Sequence, residues 1–228
     1  MNREGNAYTF IYATIMVVVV AAILAFASLS LKPRQNKNVE IAKKSDILKS
    51  VNIISTADDA EAKYSKYITS TYILNSAGEK VQGDAFSVDM TKQVALKASE
   101  RKLPVYQCTL DNGETKYILP LRGKGLWGPI WGYVSLNSDK KTIYGATFDH
   151  KGETPGLGAE IAKPHFQAEF AGKSILENGK VTFYVLKGGA SKGNIHAVDG
   201  ISGGTITSKG VQAMMNDCLS AYDKFLNE

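Results

Sequence analysis

The stretch VYQCTLDNGETKYILPL, Val105–Leu121, decides the fold. Two apolar, β-branched and aromatic runs flank Asp111–Thr115, whose Asp-Asn-Gly core is a turn signal, so the segment reads as an antiparallel hairpin. Outward toward the carboxyl end, GPIWGYVSLN (Gly128–Asn137) and KTIYGATFD (Lys141–Asp149) repeat the pattern across Ser138-Asp139-Lys140, a second antiparallel pair. TFYVLK (Thr182–Lys187) is a further strand, and TYIL (Thr71–Leu74) another, closed by a turn over Asn75–Gly78. Helical patterns lie between them. One runs near Ala159–Ala171, where Pro164 belongs in a first turn or marks a break. The last is the clearest: Val211, Met214, Met215, Cys218, Leu219, Tyr222, Phe225 and Leu226 recur at three-four spacing and form one apolar stripe. The expected fold is α+β, an antiparallel sheet covered by helices on one side.

Ala7–Leu31 contains no charged residue. As a helix it rises about 37 Å, more than the roughly 30 Å hydrocarbon core of a bilayer, so it spans with some tilt. Ala25-Phe26-Ala27 resembles a signal-peptide cleavage site, but the apolar run far exceeds the usual length of such a core. The sequence therefore predicts one retained amino-terminal transmembrane helix, with Tyr8, Phe10 and Tyr12 at one interface and Lys32 and Arg34 at the other. The expected domains are an anchor over 1–31, a stalk and first globular part over 32–103, and a cofactor domain over 104–228. Within the middle region, residues 32–39 read as a polar stalk. An amphipathic helix follows, with Ile41, Ile47, Leu48 and Val51 on one face.

The net charge is +5, but residues 1–50 hold seven Lys/Arg (among them Arg3) against three acids, Glu4 included, which accounts for four of the five charges. The globular part is nearly neutral, so no nucleic-acid partner is expected. Cys108 and Cys218 form no CxxC pair, and the three histidines, His150, His165 and His196, are not at metal-site spacing. No metal is expected, and the cysteines read as small buried residues.

Three segments depart from ordinary core: Gly123–Gly132 (GKGLWGPIWG), Gly152–Glu160 (GETPGLGAE) and Asp199–Val211 (DGISGGTITSKGV). Each falls at a strand end or helix start, where backbone can approach a ligand. In the third, Gly200, Gly203 and Gly204 permit tight turns. A helix expected from Thr207 or Ser208 aims its free N–H groups at the same place, with Ser202, Thr205, Thr207, Ser208 and Lys209 adding hydroxyls and charge. On residues alone this is either a capped glycine turn or a phosphate cradle. It fits neither the Walker A pattern nor GxGxxG.

Asp199-Gly200-Ile201-Ser202-Gly203-Gly204-Thr205 is similar to the flavinylation motif D-x-x-S/T-G-A-T of FMN-binding domains in redox-driven ion pumps, departing from it at Gly204. GKGLWGPIWGYV and FDHKGETPGLGAEI (Phe148–Ile161) resemble the C subunits of sodium-translocating NADH:quinone oxidoreductases, and ETPGLG is shared with the G subunits of Rnf complexes. The Gly125–Gly128 stretch favours the quinone reductase. The resemblance covers residues 104–226 well and 32–103 loosely. It implies covalent FMN, esterified by a flavin transferase through its phosphate to the Thr205 hydroxyl, with Asp199 recognised by the transferase. Ser202, Gly203, Gly204 and Thr207 would surround the phosphate. Leu126, Trp127 and Leu157 would form an apolar wall for the ring, with Glu153, Thr154 and Gly158 beside it.

The implied activity is passage of single electrons between centres of a membrane complex of several subunits. No catalytic acid, base or nucleophile is expected on this chain. Two other classes stay open: a membrane-tethered ligand-binding or sensory module, and an enzyme with reversibly bound FMN. The basic residues after the span vote for a cytoplasmic domain, whereas the resemblance places it on the periplasmic side of the inner membrane.

Overall fold

The computed structural model describes residues 5–189 and 191–228, so Arg3 and Glu4, counted in the charge balance, lie outside the described residues. Residues 1–43 and 44–228 form two separate compact units.

The first unit is helical. α1 (Asn6–Ser50) runs from the apolar segment through Pro33 without interruption, and its carboxyl end belongs to the second unit. The expected polar stalk is therefore helix. Lys, Arg, Gln and Glu are good helix formers, and Pro33 disturbs locally without ending the run. An 18-residue window of α1 reaches a mean hydropathy of 2.7 with none of it buried. This one apolar helix fits a membrane anchor.

In the second unit α1 ends on Asn52, which takes a positive φ of 61° while the Ile53 amide donates to the Leu48 carbonyl at 3.0 Å. This left-handed cap stops the helix. α2 (Ala60–Tyr67) leads into β1 (Ile68–Leu74), β2 (Lys80–Val81) and the short α3 (Met90–Gln93). The two predicted hairpins follow as β3 (Leu103–Thr109), β4 (Thr115–Lys124), β5 (Pro129–Leu136) and β6 (Ile143–His150). Together they make a six-stranded antiparallel sheet in the order β2-β1-β3-β4-β5-β6.

Past the sheet, a 3-10 turn (Gly158–Ala162) precedes α4 (Pro164–Ala168), with Pro164 in the first turn. Two small pairs come next: β7 (Leu176–Glu177) with β8 (Lys180–Val181), and β9 (Tyr184–Leu186) with β10 (Ala197–Asp199). The strand expected at 182–187 is thus the short β9. It pairs in parallel with β10 and stays outside the main sheet. The chain ends in α5 (Thr205–Ser220) and α6 (Asp223–Leu226), a break in the single helix the stripe suggested. Every residue of that stripe is buried.

Both sheet faces are covered, not one. α5 and α4 press the larger cluster, including Leu119, Val134, Phe148 and Met215, onto one face. Ile47 and Val51 join Tyr106, Ile118 and Tyr133 on the other. β3 and β4 are buried on both sides, as expected of strands with near-continuous apolar runs. Cys108 lies in the second cluster and Cys218 in the first, so the sheet stands between these two free cysteines.

Asp46, near the end of α1, has its carboxyl pushed up to about 6, by burial first and then by Asp149, with Lys49 opposing. A raised folded-state value means the ionised form opposes folding. That cost is absent below about pH 4 and complete above about pH 6. Asp46→Asn is expected to stabilise the full-length protein in detergent by about 1–2 kcal/mol at pH 7.5, after discounting for residual solvation, and to leave it unchanged near pH 4. Denaturation curves at the two pH values check this; parallel curves for both proteins would refute it.

Candidate functional site

α5 starts at Thr205, two residues earlier than the sequence suggested, because Gly204 rather than a hydroxyl residue occupies the N-cap position. Gly203 turns the chain into it with φ +75°. No side chain caps the helix, and the amides of Thr205, Ile206 and Thr207 have no hydrogen-bond partner among the described residues. The first internal bond belongs to Ser208, whose amide donates to the Gly204 carbonyl at 2.9 Å. Three free N–H groups at the positive end of a 16-residue helix form an anion cradle. Thr205 is exposed at its mouth, and its hydroxyl makes no hydrogen bond to a described residue.

Beside the cradle is a cavity of about 360 Å³, within the range of ligand sites. Ten of the twelve residues singled out from the sequence line it: Leu126, Trp127, Glu153, Thr154, Leu157, Gly158, Gly203, Gly204, Thr205 and Thr207. The turn between β4 and β5, the loop after β6 and the start of α5 each supply a wall. Ser202 faces a neighbouring cavity of about 410 Å³, which shares Gly203 and Thr205 with the first. Asp199 lines neither. Its carboxylate accepts the amides of Gly189 and of Ser191 (3.0 Å), which hold it below the usual carboxylate range. A larger groove of about 590 Å³ along β4 and α5 contains none of the free amides.

Glu153 is 4 % exposed. Its Oε1 accepts the Trp127 amide at 2.8 Å and its Oε2 the Thr207 hydroxyl at 2.5 Å. Burial alone would raise its carboxyl. The hydrogen bonds from Thr207 and from the Trp127, Leu126 and Gly128 amides outweigh that and hold it below the usual range. Both oxygens are engaged by the chain itself. Leu126, Trp127 and Leu157 are 46, 70 and 42 % exposed, and Ile206, which sequence reasoning missed, is 59 % exposed at the same rim. An apolar residue off the buried stripe of a terminal helix was the available signal. No group of His, Cys, Asp or Glu able to hold a metal occurs among the described residues.

An apolar rim beside an anion cradle suits a phosphorylated aromatic cofactor. The FMN-binding domain family matches residues 125–220, which span all three walls. The C subunit of the Na(+)-translocating NADH-quinone reductase of Vibrio vulnificus is 34 % identical over 212 residues, covering 86 % of this chain and 83 % of that protein. The chain belongs to the family of these C subunits.

The Haemophilus ducreyi member is 30 % identical over 226 residues, with 92 % and 88 % covered. Among solved structures of the family, the Parabacteroides distasonis C subunit superposes with a TM-score of 0.81 at 49 % identity, over 87 % of this chain and 98 % of that one. The Shewanella oneidensis NqrC gives 0.70 at 28 % identity, over 82 % and 96 %.

Proposed function

We propose that this chain is the flavin-carrying electron-transfer subunit of a sodium-translocating NADH:quinone oxidoreductase, with FMN held covalently through a phosphoester to Thr205. The observation that carries the reading is the position of Thr205: an exposed hydroxyl, unpartnered among the described residues, on the first residue of a helix whose three leading amides are free, at the edge of an apolar-rimmed cavity. Attachment requires a flavin transferase and an activated flavin-nucleotide donor. Thr205 Oγ loses its proton and gains the bond to phosphorus as the donor's leaving group departs, so the residue gains FMN less one water.

The redox chemistry belongs to the cofactor, which when bound takes up and passes on electrons one at a time. The chain's residues bind and orient. The free amides and the helix dipole would hold the remaining phosphate charge. Leu126, Trp127, Leu157 and Ile206 would offer the ring an apolar surface and exclude water there, and Glu153 holds the Trp127 turn in place. A covalent tether removes dissociation, so the site does without nanomolar affinity, about 12 kcal/mol. On this reading the donor and the acceptor are other subunits of the complex.

Mass spectrometry of the tryptic peptide bearing Thr205, from cells that hold an active transferase, is expected to show FMN less water. An unmodified peptide would remove the reading in favour of a sensory module. FMN released on denaturation would favour reversible binding.

The same reading places the globular unit on the periplasmic side of the inner membrane, against the vote of the basic residues after the span. External protease added to spheroplasts should degrade residues 44–228; full protection would put them in the cytoplasm.

A further inference from the structure

We propose that His150 is a positioning residue for the flavin site: its Nδ1 accepts the Glu153 amide and so fixes the carboxylate that ties the Leu126–Gly128 turn to the first turn of α5. The inference rests on the flavin reading of this cavity and names a residue that reading does not use.

β6 ends at His150, which stands opposite Ile130 at the start of β5. Three residues later the chain has turned, and the Glu153 amide donates back to His150 Nδ1 at 3.1 Å. An amide can only donate, so Nδ1 carries no proton in this arrangement and the imidazole serves as an acceptor. His150 lines no part of the cavity. Its effect passes through Glu153, whose two oxygens reach in opposite directions, to Trp127 N and to Thr207 Oγ1. That carboxylate is a side-chain hydrogen-bond link between the exposed apolar wall and the helix bearing Thr205.

The link has little slack. A Cβ built on Gly158 would lie 2.5 Å from both Glu153 Oε2 and Thr207 Oγ1, and one on Gly125 would lie 2.6 Å from Glu153 Oε1. A carboxylate so enclosed keeps both partners only while its own backbone is fixed. At the Glu153 amide, the group that fixes it is the His150 ring. Removing the acceptor frees the loop after β6, and the Trp127 turn loosens with it.

The test uses the full-length protein in detergent, first expressed without transferase, and follows amide hydrogen exchange over Leu126–Gly128 and Lys151–Thr154. His150→Phe keeps a planar ring but removes the acceptor; His150→Asn places an amide oxygen close to where Nδ1 stood. Exchange at Trp127 is expected to quicken about fivefold in the Phe variant, the scale of one lost hydrogen bond, and to return to the native rate in the Asn variant. Equal exchange in all three proteins, or an Asn variant as fast as the Phe variant, would overturn the proposal. If the Phe variant fails to fold, His150→Ala takes its place in the same comparison. When the transferase is then supplied, the Phe variant should carry as much flavin on Thr205 as the native protein, with a shifted visible circular dichroism that the Asn variant restores. Unmodified Thr205 with the exchange pattern intact would count against the flavin reading alone.

Discussion

Thr205→Val gives a full-length protein that folds normally and carries no covalent flavin. Grown with an active transferase and run on a denaturing gel, it shows no flavin fluorescence, whereas Thr205→Ser keeps a band. The stability change stays within about 0.5 kcal/mol, because Thr205 is exposed, its side chain bonds to no described residue and it is not the helix cap. The effect is all-or-none because the neighbouring hydroxyls are poor substitutes. Thr207 is 2 % exposed and its proton is committed to Glu153, while Ser202 faces the adjacent cavity. Fluorescence that survived in the Val variant would place the attachment elsewhere and undo the assignment.

Gly132→Ala should cost about 3 kcal/mol, roughly 6–12 °C in Tm for a unit of this size. Gly132 sits in the middle of β5, paired with Phe148 of β6. A Cβ there would overlap the Thr147 carbonyl oxygen and come within 2.9 Å of the Phe148 ring. The obstacle on one side is backbone within a sheet, so no rotamer change relieves it. The glycine-rich run that first looked like ligand-binding sequence therefore serves two purposes. Its Leu126 and Trp127 line the cavity, and Gly132 at its end lets two strands close. A thermal shift below about 2 °C would show that the sheet can yield there.

What the sequence made plain were the features built from neighbours in the chain. The two hairpins followed from alternation and turn residues, and the stripe from Val211 to Leu226 followed from spacing alone. The three loops of the site were visible as glycine clusters, and family motifs picked out ten residues that the fold gathers around one cavity. What stayed hidden depended on contacts distant in sequence. Thr207 and Glu153 are 54 positions apart, and nothing in either segment announces their hydrogen bond. The parallel pairing of β9 with β10 leaves no mark in a three-residue strand. Coverage of the second sheet face comes from Ile47 and Val51, which read as one face of an amphipathic helix with no partner assigned until the fold carried them onto Tyr106 and Ile118. The helix start was misplaced by two residues because a glycine N-cap is a weak signal beside four Ser/Thr hydroxyls.

The two sulfurs are shut away from thiol chemistry. Burial pushes both thiols up to about 11, so fewer than about one in a thousand is a thiolate at pH 7.5, and the thiolate is the reactive form. With a sheet between them they have no route to a mutual bond, even in an oxidising compartment. A unit built this way folds without a bond between its two cysteines.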